Sequence, residues 1–371
     1  MSTAWFSKAL LPWYRVHHRS LPWRDTTDPY RIWLSEVILQ QTRVDQGLAY
    51  WERFVERYPT VADLAAANED EVLRLWQGLG YYSRARNLLT AARQVMEEHG
   101  GEFPLTYAQL KGLKGVGEYT AAAIGSIAFG LPEPVVDGNV YRVLARIFGI
   151  DTPIDSTKGR KEFRTLAAKL LDTRHPGDHN QAVMELGATV CTPKNPQCER
   201  CPLVVRCIAR STGRIAELPV KAGKTKVRTR HFNYLHIEAH NGIYLRKRDG
   251  KDIWQGLWEL PLIETEKAVG SKAINRLIGE VAGMKMQGTK EGRSKSGKKQ
   301  EGGSGIGRRL GPVKHVLSHQ VIQAVFWHVV APKRFKAPKE WSLVTMEGLN
   351  ERALPRLIER YLQADKAKEQ P

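Results

Sequence analysis

All four cysteines of this chain lie in one short stretch, and this clustering limits the fold more than any other feature. They are Cys191, Cys198, Cys201 and Cys207, with the spacing C-x6-C-x2-C-x5-C, in a chain of 371 residues. Four thiolates in one loop indicate joint binding of a zinc ion or an iron–sulfur cluster rather than separate structural cysteines. A zinc ribbon usually has two C-x2-C pairs, and only one close pair occurs here. The residues alone leave both metals open.

The charge balance favours a polyanionic partner. The chain has 57 lysines and arginines against 39 acids, a formal net charge of +18, and 42% hydrophobic residues. Nucleic acid fits this balance, and so does a merely basic soluble protein. No uninterrupted apolar run reaches the roughly 18 residues of a transmembrane helix, so we expect no membrane partner. The N-terminus lacks a secretory pattern, so we expect an intracellular protein whose cysteines are not paired as disulfides.

The length and the residue pattern predict two domains. Residues 1–217 carry apolar side chains at intervals of three and four, which is the period of amphipathic helices. Residues 218–230 are basic with little to bury, and we interpret them as a linker. Residues 231–371 form the second domain, where short β-branched and aromatic runs predict strands. The expected fold is therefore an all-α domain followed by an α+β domain.

Four local patterns describe the second domain. The pair Asn241-Gly242 between two apolar runs predicts a hairpin. Residues 321–330 read as a strand, and residues 347–363 read as a closing helix. Residues 285–309 are rich in glycine, serine and lysine, which predicts a flexible basic loop. Such a run is most often simply solvated, and it can also touch phosphates.

A glycine turn separates two predicted helices near residue 115. Gly115-Val116-Gly117 lets the backbone approach another molecule closely, and the next helix begins near Glu118. Backbone N–H groups at a helix N-terminus bind phosphate, and Lys111 and Lys114 flank the turn. An ordinary tight turn between helices is the alternative.

Two acids stand out from apolar surroundings. Asp137 lies in Val135-Val136-Asp137-Gly138-Asn139-Val140, so it is a candidate helix cap, a candidate catalytic carboxylate, or both. Glu36 lies in the apolar helical stretch Trp33-Leu34-Ser35-Glu36-Val37-Ile38. It is either a surface residue of an amphipathic helix or a buried acid with a raised pKa.

Together these features resemble the helix–hairpin–helix DNA glycosylase superfamily, and specifically its adenine glycosylases of the MutY type. The resemblance covers most of the chain and implies a helical glycosylase domain, a [4Fe–4S] cluster on the four cysteines, and a Nudix-like C-terminal domain. Besides the glycine turn and the cysteine spacing, the matching motifs are Leu21-Pro22-Trp23-Arg24, Ser35-Glu36-Val37, Leu39-Gln40-Gln41-Thr42, Gly78-Leu79-Gly80-Tyr81-Tyr82, Val136-Asp137-Gly138-Asn139-Val140 and Asn180-Gln181-Ala182.

The resemblance also implies roles for the matched residues. Glu36 would be the general acid that protonates adenine, and Asp137 would stabilise the cationic sugar, with Tyr119 and Asn139 positioning both. Residues implied to line the adenine pocket are Trp23, Arg24 and Gln181. Residues implied to contact DNA are Leu39, Gln41 and Tyr81 at the opened base pair, and Gly115 and Gly117 at a phosphate.

Position 119 separates two subclasses of the superfamily. The endonuclease III-type relatives carry a lysine there, which forms a Schiff base with the sugar and leads to strand cleavage. This chain has Tyr119, and a phenol cannot form an imine. The resemblance therefore implies a monofunctional glycosylase.

The C-terminal domain is expected to read the opposite base. In the family a Phe-Ser-His turn recognises 8-oxoguanine, and this chain has Leu317-Ser318-His319. Ser318 and His319 keep their hydrogen-bonding groups, whereas Leu317 cannot stack as an aromatic ring does. Between Gly256 and Gly283 there is no glutamate-rich run of the kind that holds metal in active Nudix enzymes, so we expect no pyrophosphohydrolase activity.

The expected partner is double-stranded DNA with adenine opposite 8-oxoguanine, bound by a monomer. The expected location is the cytoplasm, with the nucleoid, for a bacterial source. Two alternatives remain: an endonuclease III-like glycosylase and lyase acting on oxidised pyrimidines, and a non-catalytic iron–sulfur DNA-binding protein. Tyr119 and the long C-terminal domain argue against the first, and the intact pair Glu36 and Asp137 argues against the second.

Overall fold

The chain forms two compact units. The computed structural model describes residues 3–223, 227–239, 242–284, 305–332 and 335–369. The first unit comprises Met1–Ala67 and Arg86–Lys224, and the second comprises Asn68–Ala85 and Thr225–Pro371. No helix of the described residues is long and apolar enough to cross a membrane.

The chain from residue 4 to residue 211 is helical, and this part of the fold prediction is confirmed. Two short 3-10 helices, Cys198–Arg200 and Val204–Arg206, lie between the cysteines. The α-helices are α1 (Ala4–His17), α2 (Pro29–Leu39), α3 (Val44–Arg57), α4 (Val61–Ala66), α5 (Glu69–Leu75), α6 (Ser83–His99), α7 (Tyr107–Gly112), α8 (Glu118–Phe129), α9 (Gly138–Phe148), α10 (Thr157–Leu170), α11 (Pro176–Thr189) and α12 (Ile208–Ser211).

Local sequence explains where the helices around the core begin and end. Asp137 caps α9 by accepting a hydrogen bond from Val140 N at 2.7 Å, and Gly149 ends that helix in the left-handed region. Pro176 starts α11, where its missing N–H has no partner to lose. The apolar faces of α1, α9 and α11 then pack on one another, with Phe6 and Val143 fully buried. These helices carry two of the residues expected in the site.

The second unit contains a mixed sheet, so the α+β expectation is confirmed. Its strand order is β3-β2-β1-β6-β5, with β4 also paired to β1 and β7 to β2. Strands β1 and β6 are parallel, and β5 and β6 are antiparallel. The elements are β1 (Arg228–Ala239), β2 (Gly242–Lys247), β3 (Trp258–Glu259), β4 (Leu262–Thr265), α13 (Ser271–Ala282), β5 (Gly305–Val316), β6 (Gln320–Val330), β7 (Trp341–Thr345) and α14 (Arg356–Glu369).

Alternating side chains of β1 supply both faces of this sheet. Phe232 and Tyr234 pack with the residues of α14 on one face. Leu235 and Ile237 pack with Ile274 and its neighbours of α13 on the other. Because both faces are covered, β1 is buried along most of its length.

The segment 68–85 lies in the helical stretch of the sequence but clusters with the second unit. Arg74 Nε donates to the carbonyl oxygen of Asn350 at 2.7 Å, and Lys247 Nζ lies 2.7 Å from Asp70. These long-range polar contacts leave no periodic pattern in the sequence. A single domain boundary between residues 217 and 231 therefore does not account for the segment 68–85.

Strand β1 begins inside the predicted linker. Arg228 is its first residue, and Arg230 is buried rather than solvated. The Arg230 guanidinium lies 2.7 Å from Asp252 and 2.6 Å from Glu264, and these charges compensate its burial. The linker expectation is therefore wrong for 228–230.

The other patterns of the second domain have different outcomes. Strands β1 and β2 pair antiparallel as the predicted hairpin requires, although Asn241 lies outside the described residues. Strand β6 matches the expectation for 321–330. The expectation of a loop at 285–309 is wrong for 305–309, which belong to β5, and 285–304 lie outside the described residues. The closing helix begins only at Arg356, after Pro355.

Candidate active site

Nine of the residues singled out from the sequence line one cleft of the first unit, with a volume of about 480 Å³. They come from α2, α8, α9 with its N-cap, α11, the segment before α2 and the turn between α2 and α3. They are Trp23, Arg24, Glu36, Leu39, Gln41, Tyr119, Asp137, Asn139 and Gln181. The fold thus brings together residues that are far apart in the chain.

The carboxyl of Glu36 lies on α2 at the cleft. Tyr119 donates its hydroxyl to Glu36 Oε2 at 2.6 Å. Burial raises the pKa of Glu36 to about 7; the nearby charge of Asp137 also raises it, whereas the Tyr119 hydrogen bond lowers it. A substantial fraction of this carboxyl is therefore protonated at neutral pH, as a general acid requires.

Asp137 has a more polar environment at the N-terminus of α9. Its Oδ1 accepts from Val140 N at 2.7 Å, and its Oδ2 accepts from Asn139 Nδ2 at 2.8 Å. Burial raises the pKa of Asp137 above its usual value, and these donors oppose the rise. The structure therefore surrounds this acid with groups that stabilise its anion, including the positive end of a helix dipole.

Asn139 is itself oriented by a residue that the sequence analysis did not find. Arg142 donates to Asn139 Oδ1 at 2.8 Å and to the carbonyl oxygen of Gly187 at 2.7 Å. Because the amide oxygen is used by Arg142, the amide nitrogen faces Asp137. Arg142 follows Asn139 by three residues, so it lies on the same face of α9.

Glu185 is a second residue that the sequence analysis missed. It is fully buried on α11, and it accepts hydrogen bonds from Arg19 Nε and from Arg24 Nη2, each at 2.7 Å. Burial alone would raise its pKa, but the two guanidinium groups lower the pKa of Glu185 to about 2. A lone acid in the apolar run Ala182-Val183-Met184-Glu185-Leu186 is the same signal that singled out Glu36.

The wall of the cleft is formed by less polar groups. Trp23 is 7% exposed and packs edge-on against Trp51, with ring centroids 5.6 Å apart. Gln181 is buried on α11 beside the cleft. A flat indole and a primary amide suit stacking and hydrogen-bonding of a planar, nitrogen-rich ring.

Two residues expected to enter DNA have unusual backbone conformations. Gln41 has φ 57° and Tyr81 has φ 48°, and both side chains are exposed. Residues other than glycine rarely adopt this left-handed region, which costs about 1–2 kcal/mol. Strain of this kind concentrates at functional sites.

The glycine turn has the predicted position between α7 and α8. Gly115 has φ 78°, and a Cβ there would lie 2.7 Å from Asn87 Cβ, so only glycine fits. Gly117 precedes α8 with extended backbone and open space around it. Both glycines are exposed.

The turn from β5 to β6 places Ser318 and His319 at the surface. Leu317 N donates to the carbonyl oxygen of Gln320 at 2.8 Å, which closes the turn. Leu317 packs against the hydrophobic core of its unit, so it acts as a packing residue here. The Ser318 hydroxyl contacts the Tyr81 hydroxyl within the same unit.

The four cysteines line a small cavity of about 20 Å³. Among the described residues, no three cysteine sulfurs lie within 4.8 Å of one another. In a tetrahedral zinc site with Zn–S bonds of about 2.3 Å the sulfurs lie about 3.8 Å apart. A cubane cluster binds each thiolate through a different iron, which requires wider spacing. The residues therefore fit a [4Fe–4S] cluster.

Arg146 stabilises this cysteine loop. Its Nη1 lies 3.5 Å from Cys191 Sγ and 2.7 Å from the carbonyl oxygen of Thr192. Burial raises the pKa of Cys201 to about 12, so the iron charge is needed to hold that thiol as a thiolate.

Three family models match the chain. Residues 34–169 match the HhH-GPD superfamily base excision DNA repair protein, and residues 191–211 match the iron-sulfur binding domain of endonuclease III. Residues 233–364 match the NUDIX domain. A solved structure of a thermostable thymine-DNA glycosylase is also similar, with a TM-score of 0.52 and 30% identity over 56% of this chain and 95% of that one.

The helices, the glycine turn, the cleft and the cysteine loop place the chain in the class of HhH-GPD base excision DNA repair proteins, with a [4Fe–4S] site and a Nudix-like second domain. A protein of Buchnera aphidicola from Schizaphis graminum named adenine DNA glycosylase is 34% identical over 70% of this chain and 76% of its own length. The chain belongs to the adenine DNA glycosylase family.

Longer relatives carry the same name. The human protein is 49% identical over 55% of this chain and 39% of its own length, and the Arabidopsis thaliana protein is 38% identical over 73% and 50%. The chain thus spans half or less of the length of these two relatives.

Proposed function

We propose that this protein hydrolyses the N-glycosidic bond of adenine mispaired with 8-oxoguanine or guanine in double-stranded DNA. The observation that carries the proposal is that one cleft holds Glu36, a carboxyl with a raised pKa bonded to Tyr119, and Asp137, a carboxyl held by two N–H donors. Two carboxylates in different environments are what a glycoside-type hydrolysis requires.

The reaction proceeds in two stages. Glu36 donates its proton to N7 of the flipped adenine, which makes the base a neutral leaving group when the C1′–N9 bond breaks. The electron pair of that bond stays with the base, and the Asp137 carboxylate stabilises the cationic sugar. Water then adds at C1′ and gives a proton to the Glu36 carboxylate, which leaves an abasic site and restores the acid.

The surrounding residues position these groups. Tyr119 holds Glu36, Asn139 holds Asp137, and Trp23 and Gln181 line the space for the base. Since Tyr119 has no amine, no Schiff base forms and the strand stays intact. The four cysteines would hold the [4Fe–4S] cluster, which would stabilise the loop that follows α11.

Contacts outside the cleft complete the proposal. Leu39, Gln41 and Tyr81 enter the duplex at the opened base pair, and the exposed amides near Gly115 and Gly117 bind a phosphate. Ser318 and His319 recognise 8-oxoguanine from their turn. The protein acts as a monomer and is located with the nucleoid in the cytoplasm of a bacterial source.

A single-turnover assay tests the reaction. The substrate is a duplex with one adenine opposite 8-oxoguanine, and products are resolved with and without alkali. We expect breaks only after alkali, and at least about a 10²-fold loss of rate for Asp137→Asn. The exposed Asp249→Asn serves as the control. Breaks without alkali would favour the lyase alternative, and binding without release of adenine would favour a non-catalytic protein.

A second comparison tests recognition of the opposite base. We expect Ser318→Ala and His319→Ala to reduce the rate on adenine opposite 8-oxoguanine more than the rate on adenine opposite guanine. Equal losses on both duplexes would contradict a role of this turn in reading the oxidised base.

A further inference from the structure

Two histidines and a glutamate of the second unit meet on one face of its sheet, away from the residues given a role above. His236 on β1 is paired directly with His328 on β6, and Glu238 follows His236 by two residues. Side chains two apart on a strand point to the same face. The side-chain ligand atoms of these three residues all lie within 4.8 Å of one another.

The distances match a coordination sphere. Glu238 Oε1 lies 3.5 Å from His236 Nε2 and 3.2 Å from His328 Nε2. With metal–ligand bonds of about 2.0–2.1 Å, ligand atoms around a tetrahedral zinc ion lie about 3.3 Å apart. Both histidines thus present the same ring nitrogen, Nε2, toward one carboxylate oxygen.

Helix α14 fixes the other nitrogen of His236. Its Nδ1 lies 2.8 Å from the Tyr361 hydroxyl and 3.4 Å from Asp365 Oδ2. A carboxylate or hydroxyl behind a histidine ring is the usual arrangement at metal-bound histidines, because it fixes the tautomer. With the proton on Nδ1, the lone pair of Nε2 faces the carboxylate of Glu238, and a cation between them removes that repulsion.

The local charge suits a dication. Glu238 and Asp365 are acidic, and the guanidinium of Arg308, which acts electrostatically on His236, pairs with Asp365. One negative charge therefore remains beside the two rings. Glu238 is half exposed while His236 is buried, so the site is open to water on one side.

We propose that His236, Glu238 and His328 bind a Zn²⁺ ion whose fourth position is taken by water. Two imidazoles and one carboxylate are a zinc donor set, and this one joins two neighbouring parallel strands and, through Tyr361 and Asp365, helix α14. The ion joins two inner strands of the sheet and thereby stabilises the second unit. It does not enter the glycosylase chemistry.

Zinc titration of the full-length protein tests this site. The protein carries its iron–sulfur cluster, verified by iron content, and is dialysed against a chelator before ZnCl₂ competes with a chromophoric chelator. We expect one Zn²⁺ per chain in the wild type. His328→Asn and Glu238→Gln should lose it, and Tyr361→Phe should weaken it by about 10–100-fold. Both ligand variants are at partly exposed positions, so the fold is retained.

His231→Asn, on the same strand but outside the cluster, is the matched control and should bind zinc as the wild type does. X-ray absorption at the zinc edge should show two imidazole ligands and no sulfur. Added zinc should raise the melting temperature of the wild type and not that of His328→Asn. Equal zinc binding by the wild type and both ligand variants, or sulfur ligation, would overturn the proposal, and so would no binding by the wild type.

Discussion

Two glutamates line the same cleft, and their surroundings shift their pKa values in opposite directions. Glu36 on α2 accepts a hydrogen bond from a neutral phenol, and its pKa is raised to about 7. Glu185 on α11 accepts hydrogen bonds from two guanidinium groups, and its pKa is lowered to about 2. Burial disfavours both anions, so the charge of the donors decides the difference.

The comparison distinguishes an acid that can donate a proton from an acid that holds parts of the fold together. An acid with one neutral donor keeps a proton that it can give away. An acid held by Arg19 and Arg24 cannot give one, but it fixes the segment before α2 against α11. Glu185 therefore positions Arg24 at the cleft, while Glu36 is available for chemistry.

The largest expected effect is the loss of catalytic rate when Glu36 is replaced. Glu36→Gln keeps the acceptor for Tyr119 but has no proton to donate, so we expect the single-turnover rate to fall by about 10²–10⁴-fold. The exposed Glu97→Gln should react as the wild type does. A Glu36→Gln rate within about tenfold of the wild type would show that another group protonates the base.

The next largest effect is the loss of folding stability when Glu185 is replaced. Glu185→Gln leaves two arginines without their buried partner, so we expect the free energy of unfolding in urea to fall by about 3–5 kcal/mol at pH 7. Because the folded-state pKa is about 2, this contribution is present above the unfolded pKa of about 4.5 and is lost as the pH falls toward 2. If the free energy of unfolding fell by less than about 1 kcal/mol at pH 7, Glu185 would not have the structural role described here.

Replacing Glu36 by glutamine should change the free energy of unfolding in the opposite direction. The folded-state pKa of about 7 lies above the ordinary value of 4.5, so wild-type stability declines as the pH rises from 4.5 through 7. We expect Glu36→Gln to be more stable than the wild type by ~1–3 kcal/mol at pH 8, with little difference at pH 4. Thermal unfolding at both pH values measures this, and a variant that is less stable at pH 8 would contradict it.

The smallest effect concerns the phenol. The Tyr119 hydrogen bond lowers the pKa of Glu36, so its removal in Tyr119→Phe should raise that pKa further. The alkaline limb of the rate profile, expected near pH 7 in the wild type, should move up by about 1 pH unit. An unchanged limb in an active variant would mean that the limb does not report Glu36.

Sequence reasoning found those acids of the cleft that lie in an apolar run and also belong to a matched motif. Glu36 and Asp137 stand out because each is an acid in an apolar run, and the cap of α9 by Asp137 is a contact over three residues. Glu185 carries the same local signal, but its partner Arg19 lies 166 residues away, and nothing in the sequence connects them.

The same limit explains the errors in the second domain. Arg230 reads as part of a basic linker because its acidic partner Glu264 comes from a different strand. The sequence likewise gives no signal for the proposed zinc ligands, because His236 and His328 become neighbours only when β1 and β6 pair in parallel. Periodicity predicts which elements form, and tertiary pairing decides which charges meet.

Infrared difference spectroscopy during a pH titration tests the central comparison most directly. We predict a protonated-carboxyl band in the wild type that disappears as the pH rises through about 7, is absent in Glu36→Gln, and persists in Glu97→Gln. A Glu36→Gln spectrum that keeps the same titrating band would contradict the account, because the protonated acid would then be a different residue.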